Sequence, residues 1–213
     1  MIRVVIADDH ELIREGVKNL LLGETDIAVV GEVARSDEVL RAAEKTGADV
    51  LILDLHMPGR PGFELLKDIR SLKPELRVLV LTMHPEDSLA VRVLRAGASG
   101  YLTKESASEE LLRAIRRVAG GGRYISSTLA ERLAAALDQT SGKQPHELLS
   151  DREYQVFILL AGGKVVPEIA QSLALSSSTI STYRSRILEK MGMSTNAELM
   201  HYAISNNLTR PAK

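Results

Sequence analysis

The sequence contains no cysteine, which excludes a disulfide framework, a thiolate zinc site and a cysteine nucleophile. It also lacks a long apolar run: stretches such as 50–53 and 78–81 fall far below the about 18 residues that a membrane span requires, so no membrane contact is expected. The first residues lead from a short apolar run into acids, with no secretory cleavage site. Together these absences predict a cytoplasmic protein.

Neither sign of charge dominates, because 27 basic residues stand against 28 acidic ones. The net charge of -1 therefore assigns no nucleic-acid or membrane partner by itself. The chain has 213 residues, of which 45% are hydrophobic, enough for real cores and too many for a mainly disordered chain. At roughly 150 residues per domain, this length predicts one large domain or two small ones.

Up to about residue 119, short runs rich in Val, Ile and Leu alternate with amphipathic stretches. Such runs are typical of parallel strands that helices cover on both faces. This alternation predicts a doubly wound α/β domain with five parallel strands in the order 2-1-3-4-5. The predicted strands are Ile2–Ala7, Ala28–Ala34, Val50–Leu53, Arg77–Thr82 and Gly100–Thr103, and the predicted helices are Glu11–Leu22, Asp37–Lys45, Gly62–Leu72, Ser88–Ala96 and Ser108–Ala119.

Three consecutive glycines at 120–122 end the last of these helices and begin a boundary. A helix at 129–137 and a polar tether at 139–146 are predicted to follow. The remaining residues show four helical patterns, of which a short one from Pro167 and a longer one capped by Ser176 have the layout of a helix-turn-helix. We therefore expect an α/β domain at 1–120, a linker with one helix at 121–146 and a small all-α domain at 147–213.

Acidic residues stand where the predicted strands end. Asp8 and Asp9 follow the first strand and Asp54 the third, while Thr82 ends the fourth strand and Lys104 follows the fifth. Strand carboxyl ends meet at one edge of such a sheet, so these five side chains are expected in one crevice. Three carboxylates there need a counter-charge, and Mg²⁺, which prefers oxygen ligands and often a phosphate oxygen, supplies it together with Lys104. The group is thus suited to a phosphoryl group on a carboxylate.

Several motifs resemble the two-component response regulators of the NarL/FixJ group, which join a receiver domain to a LuxR-type DNA-binding domain. They are Ile-Ala-Asp-Asp-His (6–10), Leu-Asp-Leu-His-Met-Pro-Gly (53–59), Leu-Thr-Met-His (81–84) and Gly-Ala-Ser-Gly-Tyr-Leu-Thr-Lys (97–104), with a LuxR-type pattern that begins at Leu-Ser-Asp-Arg-Glu (149–153). The resemblance implies that Asp54 is the phosphoacceptor and that Thr82 and Lys104 bind phosphoryl oxygens. It also implies that Asp9 and Asp54 bind Mg²⁺ directly, that Asp8 binds it through water and that the backbone carbonyl of His56 completes the protein ligands.

Further roles follow from the same resemblance. His56 and His84 would tune the lifetime of the phosphoryl group, although loop histidines exposed to water are an equal alternative. Tyr101 matches the switch aromatic, whose ring turns inward when the phosphoryl group draws Thr82; the alternative is a half-buried core tyrosine. Glu105 stands after Lys104 where many receivers have proline, a departure that the NarL/FixJ group shares.

The third C-terminal helix carries the expected DNA contacts. Ile180, Tyr183, Ile187 and Met191 recur at helical spacing and should face inward. The outward stripe and its neighbours are expected to reach the major groove: Ser178, Ser181, Thr182, Arg184, Ser185, Arg186 and Lys190. Residues 146–213 carry a net charge of only +1, and Ser181 replaces the usual lysine, so a monomer should bind weakly.

Two local features complete the pattern of this region. Val165 stands where the family has an N-cap residue, so that cap is expected to be lost. The last helix, Asn196–Ser205, would form the dimer contact by resemblance, whereas its chemistry alone is equally consistent with a core-facing stripe.

The sequence thus predicts a transcription regulator rather than an enzyme. A histidine kinase or a small phosphodonor would phosphorylate Asp54, and the phosphorylated homodimer would bind a double-stranded DNA operator. Two alternatives stay open. One is a scaffold whose receiver regulates a protein partner; the other is an aspartyl-phosphate phosphotransfer enzyme, which typically has an acid where His56 stands.

Overall fold

The computed structural model describes residues 1–83, 88–105, 108–126, 129–131, 144–173, 175–206 and 208–209. The chain divides into two compact units, Met1–Leu133 and Ala134–Lys213. Unit one is built on a five-stranded parallel sheet with the order β2-β1-β3-β4-β5, as predicted. Its strands are β1 (Ile2–Ala7), β2 (Ile27–Val33), β3 (Val50–Leu53), β4 (Arg77–Thr82) and β5 (Gly100–Thr103).

Helices cover both faces of this sheet. On one face, Val4 and Ile52 pack in a core cluster with Ile115, which belongs to the last helix of the unit. Val5 and Leu51 alternate with them along the strands, point to the opposite face and are also fully buried. This two-sided burial explains why the strands read as continuous apolar runs. The helices are α1 (Glu11–Leu21), α2 (Val39–Thr46), α3 (Gly62–Leu72), α4 (Ser88–Ala96) and α5 (Ser108–Ala119).

Three elements of this unit differ from the sequence-based prediction, of which α1 differs least because it ends at Leu21 rather than Leu22. The second strand begins at Ile27, one residue earlier than predicted, because its register with β1 starts at the pair Ile2 and Ile27. The helix predicted to begin at Asp37 is a turn of 3-10 helix at Ser36–Glu38 that leads into α2. Ser36 is buried in that turn.

The residues after α5 add a further edge to the sheet. Tyr124 N donates to Ser99 O at 3.0 Å, and Tyr101 N donates to Tyr124 O at 3.2 Å. The Tyr124 hydroxyl also donates to Glu110 Oε1 at 3.2 Å, which holds the segment against α5. The predicted linker therefore begins with residues that belong structurally to the α/β unit.

Unit two is a small helical domain made of α6 (Asp151–Ala161), α7 (Val166–Ser172), α8 (Ser177–Met191) and α9 (Asn196–Ser205). Ser150 caps α6 as predicted: its hydroxyl accepts from Glu153 N at 3.3 Å and its N–H donates to Glu153 Oε2 at 2.8 Å. Val165 makes no side-chain cap for α7, but the Glu168 carboxylate accepts from its backbone N–H at 3.1 Å. The expected loss of that cap is therefore offset in part.

The C-terminal end of the predicted linker also differs from the prediction. Pro145–Leu148 form a turn of 3-10 helix, in which His146 is buried and its Nδ1 lies 2.8 Å from the Tyr202 hydroxyl. Of the helix predicted at 129–137, residues 129–131 are helical and the others lie outside the described residues. No helix in the described part of the chain is long and apolar enough to cross a membrane.

Candidate functional site

The carboxyl ends of β1, β3, β4 and β5 bring the predicted acidic cluster together. Asp8 follows β1, Asp54 follows β3, and Thr82 is the last residue of β4. All three are buried, with exposed fractions of 3%, 4% and 0%. These four strands are neighbours in the sheet, so their ends open into the same crevice. The position of the cluster thus follows directly from the strand order.

Lys104 is the cation at the centre of this cluster. Its Nζ lies 2.6 Å from Asp8 Oδ2 and 2.6 Å from Asp54 Oδ2, and its side chain is only 2% exposed. Its backbone N–H donates to Thr82 O at 2.7 Å, which places the side chain at the end of β5. One ammonium group therefore bridges two buried carboxylates that come from different strands.

This arrangement shifts both ionisation equilibria toward the charged forms. Burial by itself would raise the pKa of the Asp54 carboxyl, but the contacts from His56 and Lys104 outweigh it and hold that pKa well below its usual range. Burial would likewise lower the pKa of Lys104, but its hydrogen bonds to Asp54 and Asp8 raise it instead. At neutral pH the site therefore presents an ionised Asp54.

Asp9 extends the cluster and adds a carboxylate oxygen that has no hydrogen-bond partner among the described residues. Its side chain is 29% exposed, and within the described residues its Oδ1 is buried without a hydrogen-bond partner. One oxygen or nitrogen each from Asp8, Asp9, His10 and Asp54 lies within 4.8 Å of the others. Buried anionic oxygens without a donor are suited to a divalent hard cation. The residues present therefore fit Mg²⁺.

His10 belongs to this cluster, although the sequence analysis assigned it no role. Its Nδ1 lies 3.1 Å from Asp8 Oδ1 and 3.0 Å from Asp9 Oδ1, but only the contact with Asp8 has hydrogen-bond geometry. Its backbone N–H also donates to Asp8 Oδ1 at 2.9 Å. The signal that could have identified it is its place directly after the aspartate pair.

The two predicted lifetime-tuning histidines have different outcomes. His56 N donates to Asp54 Oδ1 at 3.0 Å, and its ring Nδ1 lies 3.7 Å from the same oxygen. With 23% of its side chain exposed, His56 stands beside the carboxylate rather than free in solvent. His84 lies outside the described residues.

Tyr101 is fully buried in this structure. It lies on β5, three residues before Lys104, with its backbone N–H paired to Tyr124. This burial is deeper than the half-buried alternative assumed, and it fits a core tyrosine as well as a switch aromatic whose ring points inward.

In the helical unit, α8 presents the predicted polar stripe. Ile180, Ile187 and Met191 are buried and Tyr183 is half-buried, as the helical spacing predicts. The exposed stripe consists of Ser178, Ser181, Thr182, Ser185 and Arg186. Arg186 has no ion-pair or hydrogen-bond partner among the described residues, so its guanidinium is available to an outside anion.

Two predicted DNA contacts are placed differently from this stripe. Arg184 Nε donates to Asn196 Oδ1 at 2.6 Å, which ties α8 to the start of α9. Lys190 Nζ donates to Glu153 Oε2 at 2.6 Å, and Glu153 is only 3% exposed. Burial alone would raise the pKa of Glu153, but the bonds from Lys190 and Ser150 lower it. Both cations hold the domain together in this arrangement.

The last helix has apolar residues on both its buried and its exposed face. Leu199 and Ala203 of α9 are fully buried and belong to the core of the helical unit. Ala197 and Ile204 are exposed, and Ile204 is 39% accessible to solvent. The apolar positions of α9 therefore divide between a core face and an outer face.

Two family matches account for these two units. Residues 4–116 match the response regulator receiver domain, and residues 147–203 match the luxR family of bacterial regulatory proteins. The chain belongs to the two-component response regulators that join a receiver domain to a LuxR-type helix-turn-helix domain for DNA binding and transcription regulation.

Particular relatives span nearly the whole chain. The response regulator UvrY of Escherichia coli (strain K12) is 36% identical over 209 residues, which cover 98% of this chain and 96% of UvrY. The response regulator GacA of Pseudomonas viridiflava is 37% identical over 209 residues, covering 98% of each chain.

Solved structures of RcsB share the fold. RcsB from Salmonella enterica serovar Typhimurium, bound to promoter rprA in the presence of phosphomimetic BeF3-, aligns with a TM-score of 0.68 and 32% identity, covering 96% of this chain and 100% of RcsB. A structure of two RcsB dimers bound to two parallel DNAs aligns with a TM-score of 0.59 and 30% identity, covering 96% of this chain and 98% of RcsB.

Proposed function

We propose that Asp54 accepts a phosphoryl group and that this modification switches the protein toward DNA binding. The observation that carries the proposal is the buried contact of Lys104 Nζ with both Asp8 and Asp54, at 2.6 Å each, beside an Asp9 oxygen that has no described donor. A cation and a cluster of acids at the carboxyl edge of the sheet form a site for an anionic phosphoryl group rather than a set of turn residues.

Asp8, Asp9, Asp54 and the backbone carbonyl of His56 are the proposed Mg²⁺ ligands. When bound, Mg²⁺ supplies positive charge to the phosphoryl oxygens. With Lys104 it balances the three carboxylates. Phosphorylation replaces the single charge of Asp54 by about -2, so both cations are then needed.

The chain's own residues carry out the transfer. The ionised Asp54 oxygen forms a bond to phosphorus, the bond from phosphorus to the donor breaks, and the donor departs with the electron pair. The donor is a phosphohistidine of a kinase or a small acyl phosphate. Lys104 and the Thr82 hydroxyl bind the oxygens of the transferred group, and His56 and His84 are proposed to set how fast water removes it.

The switch is proposed to be a shift between two populated arrangements. Thr82 moves toward the phosphoryl oxygens, and the buried Tyr101 ring fills the space that Thr82 leaves. The domain limits proposed for this switch are 1–120 for the receiver, 121–146 for the linker and 147–213 for the DNA-binding domain. The hydrogen bonds of Tyr124 with Ser99 and Tyr101 support placing the first linker residues against the receiver sheet.

The phosphorylated form is proposed to bind an operator as a homodimer in the cytoplasm, where chromosomal DNA is found. The exposed stripe on α8 supports this proposal, with Arg186 as its free cation and hydroxyl groups around it. Such a stripe gains little affinity from a single domain, so two domains on two half-sites are required. Dimers on DNA are known for RcsB.

The phosphoryl step is tested by intact mass. The wild type and Asp54→Asn are incubated with acetyl phosphate and Mg²⁺, and Asp26→Asn serves as a control because Asp26 is an exposed aspartate that pairs with Arg116. We expect one phosphoryl group on the wild type and on Asp26→Asn, and none on Asp54→Asn. A phosphoryl group on Asp54→Asn would contradict the assignment.

Gel retardation of DNA with and without the phosphodonor tests the second step. Binding that strengthens on phosphorylation supports the regulator. Phosphorylation without any DNA binding would instead favour a receiver-regulated scaffold, and release of phosphate from an added phosphoprotein would favour a phosphotransfer enzyme.

A further inference from the structure

Ser36 joins the turn after β2 to the loop that follows the phosphoacceptor. Its hydroxyl lies 2.8 Å from Arg60 O and 3.1 Å from Pro58 O, within hydrogen-bonding distance of both carbonyl oxygens. Its backbone N–H donates to Pro58 O at 3.0 Å. Ser36 is only 2% exposed, so water does not compete for these bonds. A buried side chain more than twenty residues away thus holds the loop between β3 and α3.

Glycines let this loop approach Ser36 closely. Gly59 has a φ of +108°, a conformation that side chains with a Cβ rarely adopt. A Cβ there would lie 2.7 Å from Ser36 Oγ and 2.8 Å from Asp37 Oδ1. At Gly62, a Cβ would lie 2.7 Å from Leu55 O, so the loop also folds back on its own start. At these two positions the loop is packed too closely to accept a side chain.

The same loop also carries His56, which lies after the end of β3 and so is not held by the sheet. It leaves β3 at Asp54, and His56 N is fixed to Asp54 Oδ1 at 3.0 Å. Between this bond and the Ser36 contacts lie only the His56 carbonyl and Met57. A carbonyl held at both ends of so short a segment has a defined position.

We propose that Ser36 is a positioning residue of the phosphoryl site, which sets the Mg²⁺ affinity by fixing the loop that presents the His56 carbonyl. The inference rests on the proposed function, because it takes that carbonyl as a ligand. Ser36 touches neither the ion nor the phosphoryl group. It acts through Pro58 and Arg60, as groups that orient ligands do in other metal sites.

Titration calorimetry with Mg²⁺ alone, on the full chain, tests the proposal. Ser36→Ala removes the hydroxyl, and Ser36→Cys fills the same space with a weaker donor. Thr46→Val is the control, because the Thr46 hydroxyl also bonds a backbone carbonyl, Ala42 O at 2.8 Å, but within its own helix and away from the site. We expect both Ser36 variants to bind Mg²⁺ roughly tenfold more weakly than the wild type. Thr46→Val should match the wild type.

Urea unfolding without Mg²⁺ separates positioning from general destabilisation. If Ser36→Ala and Thr46→Val lose similar resistance to urea and only the former loses Mg²⁺ affinity, positioning is supported. Wild-type affinity in Ser36→Cys, or in a folded Ser36→Ala, overturns the role of Ser36 while leaving the proposed function intact. If the wild type itself binds no Mg²⁺, the proposed metal site fails and this inference fails with it.

Discussion

Replacing Lys104 by methionine is the most direct test of how the buried acids are balanced. Methionine keeps much of the side-chain length but removes the ammonium that lies 2.6 Å from Asp8 and 2.6 Å from Asp54. Both carboxylates are nearly inaccessible to solvent, so water cannot replace that cation. Removing one partner of a buried ion pair costs about 3 to 5 kcal/mol. We expect a loss of this size in the free energy of unfolding without Mg²⁺ near neutral pH.

The pH dependence of this loss has a definite sign. In the wild type, the lowered pKa of Asp54 contributes stability above the unfolded pKa, and this contribution is lost as the pH falls through the folded value. In Lys104→Met, burial and like charge raise the pKa of the carboxylates instead. Their unfavourable charge is then relieved as the pH falls. The deficit should therefore be largest near about pH 7.5 and shrink toward about pH 5.

The assay is urea unfolding with and without Mg²⁺, in which the receiver transition is the one that Mg²⁺ shifts. Lys18→Met is the control, since Lys18 pairs with Glu15 and Glu32 on the surface, where such pairs contribute little. Mg²⁺ should narrow the difference in stability between Lys104→Met and the wild type, and it should stabilise Lys18→Met as much as it stabilises the wild type. If the two variants unfold alike without Mg²⁺, or if the deficit of Lys104→Met grows on acidification, the charge argument is refuted.

Three further predictions concern single side chains. Arg186→Ala should weaken DNA binding and reduce the slope of the logarithm of the binding constant against the logarithm of salt concentration by about one unit. Lys190→Ala should destabilise the helical unit with little change in that slope. Equal slopes for the two variants in retardation assays would contradict this. Gly62→Ala should lower receiver stability by about 1 to 3 kcal/mol, because its Cβ meets Leu55 O; a wild-type melting temperature would show that the loop can yield. Ser150→Ala should cost about 1 kcal/mol through the lost cap of α6, as measured by chemical unfolding of the helical unit; an unchanged midpoint would contradict it.

Much of the receiver fold could be predicted because its signals are local. Strands β1, β3, β4 and β5 have the predicted bounds, since each is a short apolar run with a charged residue, a turn residue or glycine at an end. The meeting of Asp8, Asp54, Thr82 and Lys104 follows from strand order alone. Periodicity likewise identified the buried face of α8.

The remaining features depend on contacts between distant residues. Nothing in the sequence around Lys190 indicates that it forms an ion pair with the buried Glu153, 37 positions earlier. Ser36 resembles an ordinary helix-start residue, and its bonds to the loop after β3 exist only once the sheet has formed. The polar neighbours of His146 predict that it belongs to a tether, although its ring is buried against Tyr202. Local composition does not carry such information.

The pairing of Tyr124 with β5 bears on where the receiver domain can be truncated. The backbone groups of Tyr101 on β5, and of Ser99 just before it, are bonded to a residue that lies beyond the glycine triplet. A receiver fragment that ends at residue 120 would leave those backbone groups without their hydrogen-bond partner, and an unpaired strand edge promotes self-association. A fragment that extends through residue 126 should stay monomeric at concentrations where the shorter one aggregates.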